Sequence, residues 1–186
     1  QALTAELKTR AKIYHVTREP GGTILGDELR QMLLRTAGQA PVARAELLLY
    51  QAIRAQHVEL VIAPAKKRGE WILCDRFLAS SVAFQCGGRG VKREDVDWLN
   101  NYSTAGIKPD LTVLLDLDVD TAMERMAGRD LDRFEKEQKD FHSRVRESYL
   151  EQAKKDPASW LVLSAREKPE FLTELLVQQL RLKSWL

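Results

Sequence analysis

Asp75 and Arg76 stand side by side where the apolar run Trp71-Ile72-Leu73-Cys74 ends. Short apolar runs of this kind mark strands buried on both faces of a parallel sheet, and open α/β sheets bind ligands beyond the carboxyl ends of their strands. Arg offers a planar fork of donors suited to phosphate oxygens, while Asp can hold a hydrated Mg2+ or orient the Arg. An isolated Asp-Arg pair is more often a surface ion pair, so the rest of the chain decides its meaning.

Four further groups could do chemistry. In Arg18-Glu19-Pro20-Gly21-Gly22-Thr23, Arg18 leaves a strand end and the glycines open backbone N–H groups toward the next helix, which fits a phosphate clamp as well as a plain turn. Tyr50 and Arg54 lie one helical turn apart on one face, where a ring can stack on a base beside a guanidinium that donates to base carbonyls; a core Tyr beside a surface Arg is the commoner case. Phe84 and Gln85 precede the turn Gly87-Gly88-Arg89-Gly90 and serve recognition or packing. Arg125, Arg129 and Arg133 recur every four residues across Gly128, as a solvated helix face or as a flap that closes on a transferring phosphoryl group.

The elements that position these groups alternate. Helical periodicity covers residues 1–10, 25–35, 43–67 (with Pro64 kinking or ending it), 93–105, 119–127, a stretch ending near 154, and 169–185. Strands are expected at 13–17, 71–75, 111–117 and 160–163. This order gives one α/β domain over 1–186, a parallel sheet with helices on both faces. Four strands are few for such a length, and the chain opens already inside a helix.

At 186 residues, 44% hydrophobic and 30% charged, the composition is globular, and no segment has the apolar length of a membrane span. A net charge of +2 gives no ground for a nucleic-acid groove. Cys74 and Cys86 lack CxxC spacing and His15, His57 and His142 are scattered, which reads as free thiols in a reduced cytoplasm rather than a disulfide or zinc site. The nearest approach to a P-loop, Gly21 to Gly26, is followed by Asp27 where a Lys is needed, and is rejected. There is no signal peptide at the start, and Gln1 is an unusual first residue.

Taken in order, Thr17-Arg18-Glu19-Pro20-Gly21-Gly22-Thr23, Ala45-Glu46-Leu47-Leu48-Leu49-Tyr50 with Arg54 and His57, Asp75-Arg76-Phe77, Gln85 with Gly87-Gly88-Arg89-Gly90, and Asp132-Arg133-Phe134-Glu135 resemble thymidylate kinase over nearly the whole chain. The resemblance implies a P-loop NTPase-like fold of the nucleoside monophosphate kinase type, transfer of phosphate from ATP to dTMP with Mg2+, and a homodimer. By that resemblance Arg76 and Arg18 hold the acceptor phosphate and Asp75 supports the metal. Tyr50 stacks on thymine, Arg54 contacts the base edge, Ser81 and Gln85 are further base or sugar contacts, and Phe84 stands near the deoxyribose where relatives often carry Tyr. Arg125, Arg129 and Arg133 match a lid, about 125–135, of the bacterial type that carries its catalytic basic charge there. Arg125 and Arg166 fall near the adenine.

In that family a first strand and a P-loop ending in Gly-Lys-Ser/Thr-Thr come immediately before the position of Gln1. The resemblance therefore implies a first strand and P-loop missing before residue 1, without which residues 1–186 are inactive. A catalytically inactive nucleotide-binding protein, or a kinase for another nucleoside monophosphate, is the alternative. Tyr50, Arg54 and Phe84 would decide between the kinases.

Overall fold

The computed structural model describes residues 2–186. Helix α1 (Ala2–Thr9) leads into β1 (Tyr14–Arg18), then α2 (Ile24–Leu34), α3 (Ala43–His57), α4 (Ala63–Lys67) and β2 (Trp71–Asp75). The second half runs α5 (Leu78–Ser81), α6 (Arg93–Thr104), β3 (Thr112–Asp116), α7 (Val119–Met126), α8 (Lys139–Lys155), β4 (Trp160–Ser164) and α9 (Pro169–Leu182). These elements lie within a few residues of the expected helices and strands they match, with two exceptions set by hydrogen-bond register.

The first is the helix expected over 43–67. It continues past Pro64 by widening to a π turn at Val58–Ile62, where the Ala63 amide reaches the Val58 carbonyl. Pro has no N–H to give, and a widened turn followed by a fresh helix start at α4 is a standard way to absorb that loss. The second is the Gly-rich turn, which is drawn into another π turn, Val82–Gly88. Here Gly88 is required by packing: a Cβ on it would meet Cε2 of Phe141 on α8 at 2.4 Å.

Both strand pairs are parallel, β1 with β2 and β3 with β4, and among the described residues no backbone pairing joins one pair to the other. In the first pair Arg18 lies opposite Asp75, so both strands deliver a charge at the same end. Glu19 N donates to the Asp75 carbonyl at 2.9 Å and extends that alignment one residue into the loop.

Helix α3 packs between α2 and α6, α8 packs on the second π turn, and α9 covers β4. The core is formed by Leu47, Val82 and Val96 on one side and by Ala83, Phe134, Phe141 and Val145 on the other. Helix α3 buries more than its apolar residues. Leu47 and Ile53 go inward, but so do Glu46, Gln51, Arg54 and His57, while Leu48 faces out. Burying that many polar groups is unfavourable unless each is paired, and the pairing builds the site.

Candidate active site

The site grows from the carboxyl ends of β1 and β2. Asp75 and Arg76 are exposed there, and Arg76 adopts φ 66°, a left-handed conformation that costs a non-glycine residue of order 1 kcal/mol and is held only where surroundings impose it. Its guanidinium lies over the Phe84 ring at 4.9 Å from the centroid. Arg18 is also exposed, 3.7 Å from the Asp27 carboxylate. The loop after it is fixed at both ends, because Thr23 Oγ1 caps α2 by accepting from Gly26 N at 3.0 Å and Arg30 Nη1 donates to the Pro20 carbonyl at 2.8 Å. Two arginines thus face solvent at adjacent strand ends, an arrangement suited to one phosphate.

Beneath them lies a buried polar hub. Arg54, 1% exposed, donates from Nε to Glu19 Oε2 at 2.7 Å, from Nη1 to Asn100 Oδ1 at 2.6 Å and Ser81 Oγ at 2.9 Å, and from Nη2 to the Phe77 carbonyl at 3.1 Å. His57 Nδ1 lies 3.0 Å from the other Glu19 oxygen, and Nε2 lies 2.7 Å from Thr17 Oγ1. A carboxylate only accepts, so Nδ1 carries a proton, and Nε2 shares its hydrogen bond with the threonine hydroxyl. A Cβ on Gly22 would sit 2.7 Å from the His57 ring, so the loop rests directly on the hub.

Aromatic rings form the wall beside Arg76. Phe134 meets Tyr50 edge-on at 6.1 Å and Phe84 at 5.7 Å, and Phe84 also meets Phe141 at 6.1 Å and Tyr149 at 6.4 Å. Such edge-to-face pairs add to simple burial and keep rings upright. Burial, followed by the nearby Glu46 carboxylate, pushes the Tyr50 hydroxyl well above its ordinary range. Burial also raises the Tyr149 hydroxyl, which shares a 2.6 Å hydrogen bond with Ser80. Both phenols stay protonated donors at neutral pH.

The three evenly spaced arginines do not share a face. Helix α7 stops at Met126 and Gly128 turns left-handed (φ 82°), which separates them. Arg125 Nη1 donates to the Ala165 carbonyl at 2.9 Å, beside the Arg166–Asp118 pair at 2.5 Å, so those two gather near the ends of β3 and β4. The Thr121 backbone amide, then Arg166, holds the Asp118 carboxyl far below the usual carboxylate range. Arg129 is exposed and pairs with Glu135. Arg133 is docked on the body, with Nε on the Leu33 carbonyl at 2.9 Å and Nη2 on Glu46 Oε2 at 2.8 Å.

Of the residues singled out in the sequence, Arg18, Asp75 and Arg76 are exposed and Tyr50 and Phe84 half-buried, whereas Arg54 and Ser81 are buried with their polar atoms engaged by protein partners and Gln85 is buried with its NH2 on Glu46. Glu19, Glu46, His57, Asn100, Phe134 and Tyr149 carry structure here that sequence reasoning did not assign. The signal available was the polar stripe 46, 50, 54, 57 at helical spacing on α3. No group of three or more His, Cys, Asp or Glu that could hold a metal occurs among the described residues. The single exposed Asp75 fits Mg2+, which keeps several waters and takes its remaining ligands from substrate phosphates.

Comparison with known proteins gives a consistent result. The family model described as thymidylate kinase matches residues 1–175. The chain is 54% identical over 185 residues to a thymidylate kinase of Bdellovibrio bacteriovorus, covering 96% of this chain and 86% of that one, and 43% identical over 171 residues to one of Pelobacter propionicus, covering 88% and 78%. A crystal structure of thymidylate kinase from Ehrlichia chaffeensis superposes with a TM-score of 0.76 at 27% identity, over 96% of this chain and 88% of that one. With the Asp-Arg strand end, the clamp loop and the aromatic wall in the same chain, these matches mean that the protein belongs to the thymidylate kinase family.

Proposed function

We propose that the protein transfers the γ-phosphoryl group of ATP to dTMP, giving dTDP and ADP. The observation that carries this reading is Arg76, held at a strained φ at the end of β2, with Arg18 at the neighbouring strand end and the Tyr50–Phe84–Phe134 wall beside it. Arg18 and Arg76 hold the phosphate of dTMP, Tyr50 stacks on thymine, and Phe84 bounds the deoxyribose. Ser81 and Gln85 line the base edge. Arg54 lies under that edge and fixes Ser81 by its 2.9 Å hydrogen bond.

A phosphate oxygen of dTMP attacks the γ-phosphorus; that P–O bond forms while the β,γ-bridge bond breaks and its electrons pass to ADP. No covalent enzyme intermediate is needed, so positioning and charge neutralisation supply the catalysis. Arg129 is the mobile cation that closes on the equatorial oxygens, and Arg125 and Arg166 lie on the adenine side. Mg2+, held through Asp75, neutralises the donor phosphates when bound.

A Gly-rich motif with Lys for those phosphates is not among the 186 residues, so the decisive measurement on them is binding of the acceptor. Calorimetric titration is expected to show dTMP binding in preference to dCMP and dGMP. Arg76→Ala should lose about 1.5–3 kcal/mol, the range for a charge-assisted hydrogen bond. No dTMP binding by the unaltered chain refutes the reading.

We also infer a homodimer in the cytoplasm. The exposed side of α3 and α6 carries Leu48 and a stacked Trp98–Tyr102 pair, the two rings 65% and 73% exposed with centroids 5.5 Å apart. Exposed aromatic and aliphatic groups of this kind suit a contact between copies of the chain. No helix of the described residues is long and apolar enough to cross a membrane. Sedimentation at micromolar concentration should give the dimer mass, and a monomer would count against it.

A further inference from the structure

We propose that Glu46 is a positioning residue for the base: it orients the Gln85 carboxamide and, through Arg133 and Arg89, holds the segment 132–137 down as one wall of the pocket. The inference rests on the dTMP reading above and concerns Glu46, Arg89 and Arg133, to which that reading gives no role.

Glu46 is 0% exposed, an unusual place for a carboxylate on a helix that could have turned it to solvent. It accepts from Gln85 Nε2 at 3.1 Å and Arg89 Nε at 3.4 Å through Oε1, and from Arg133 Nη2 at 2.8 Å through Oε2. Arg89 continues to Glu137 at 2.6 Å. The result is an alternating row, Glu137–Arg89–Glu46–Arg133, with two charges of each sign. It starts and ends on the segment after α7 and passes through the second π turn and α3. Arg133 N and Nε add hydrogen bonds to the Leu34 and Leu33 carbonyls at the end of α2.

Two consequences follow for the pocket. Phe134 sits between Arg133 and Glu137, so holding those two residues presses its ring against Tyr50 and Phe84. The Gln85 carboxamide loses its choice of orientation. A carboxylate cannot donate, so the NH2 faces Glu46 and Oε1 is the end left as an acceptor, with no protein donor among the described residues. An acceptor held in place beside an aromatic wall suits a pyrimidine that carries an N–H at its edge. The phosphate end, Arg18 and Arg76, has no direct contact with this row. Glu46 therefore acts mainly on what the base contributes to binding, since the phosphate end meets the row only through the Phe84 ring.

The test compares Glu46→Gln with the unaltered full chain by calorimetric titration of dTMP and, by competition, of deoxyribose 5-phosphate, which lacks the base. The expected result is dTMP affinity lowered about tenfold, the scale of one buried hydrogen bond to a charged group, with deoxyribose 5-phosphate, which meets this wall only through Phe84, losing clearly less. Amide exchange at 132–137 should accelerate by a similar factor while α9 keeps its rate. If Glu46→Gln does not fold, Arg133→Gln is measured instead, since it leaves Glu46 paired with Arg89 and should give the same split. Equal loss of both ligands, or no loss of dTMP, overturns the inference while leaving the dTMP reading intact. Failure of the unaltered chain to bind dTMP overturns both.

Discussion

Replacing Arg54 with Met tests the buried hub most directly. Arg54 and Glu19 are 1% and 3% exposed, and the Nε–Oε2 distance is 2.7 Å. Met fills similar space but leaves the Glu19 carboxylate with only His57 Nδ1–H as a partner, and takes a donor from Ser81, Asn100 and the Phe77 carbonyl. Breaking a buried pair by removing one member costs about 3–5 kcal/mol, because the surviving charge stays desolvated. Against a total of about 5–15 kcal/mol that is a large share. With a urea slope of about 2 kcal/mol per molar, the midpoint should fall by roughly 1.5–2.5 M. The paired change Arg54→Met with Glu19→Gln removes both charges and keeps an acceptor for His57, so it should cost far less than the two single changes added together. A loss under about 1 kcal/mol for Arg54→Met, or a double variant that simply adds, would refute the argument that this pair is a desolvated unit.

Gly88→Ala places a methyl group 2.4 Å from Phe141 Cε2 and 2.8 Å from Cζ, in a wall already filled by aromatic rings. Overpacking of that kind costs about 1–3 kcal/mol, which lowers Tm by roughly 2–12 °C at this size and should show in a calorimetric scan; an unchanged Tm would mean the π turn shifts freely against α8. Acid stability has a definite sign. Hydrogen bonds from Arg146 hold the Asp116 carboxyl below its usual value, the Thr121 amide and Arg166 do the same for Asp118, and Arg68 brings Glu70 down to about 2. Groups with depressed folded-state values contribute fully above the ordinary carboxylate range, about pH 4, and lose that contribution as pH falls through the folded values. Tm should therefore be level from pH 7 to about 5 and decline below about 4, with Glu70 titrating near pH 2 and Asp118 lower still. A Tm that rises between pH 5 and 3 would contradict this.

Which parts of the site are visible in the amino-acid order depends on how far away the partners lie. The run ending in Asp75-Arg76 is legible because an apolar strand bounded by charge is a local pattern, and the strand occupies the expected residues. The helix expected over 25–35 is likewise a local pattern, and α2 occupies Ile24–Leu34. Helix α3 is not legible in the same way. Its leucines invite an apolar inner face, yet Arg54 is held by groups 27 and 46 positions away in Ser81 and Asn100, and Glu46 by Arg133, 87 positions away. Periodicity registers neither partner. It therefore assigns these polar residues to the surface and moves Leu48 inward.

The spacing of Arg125, Arg129 and Arg133 misleads for a related reason. Equal intervals imply a common face only while the helix lasts, and α7 ends at Met126. Beyond it each arginine takes the nearest acceptor: a carbonyl after β4, Glu135, and the buried Glu46. The segment after α7 is therefore divided. Residues 132–137 are tied to α2, α3 and the second π turn, whereas Arg129 is held by a single exposed pair that any phosphate can outcompete. The closure proposed for Arg129 would then need movement only of the stretch around Gly128 and Arg129, with the Phe134 wall already in place. That division fits the proposed reaction, in which the half with Phe134 would meet the base, the half with Arg129 would meet the transferring phosphoryl group, and catalysis is mostly positioning and charge.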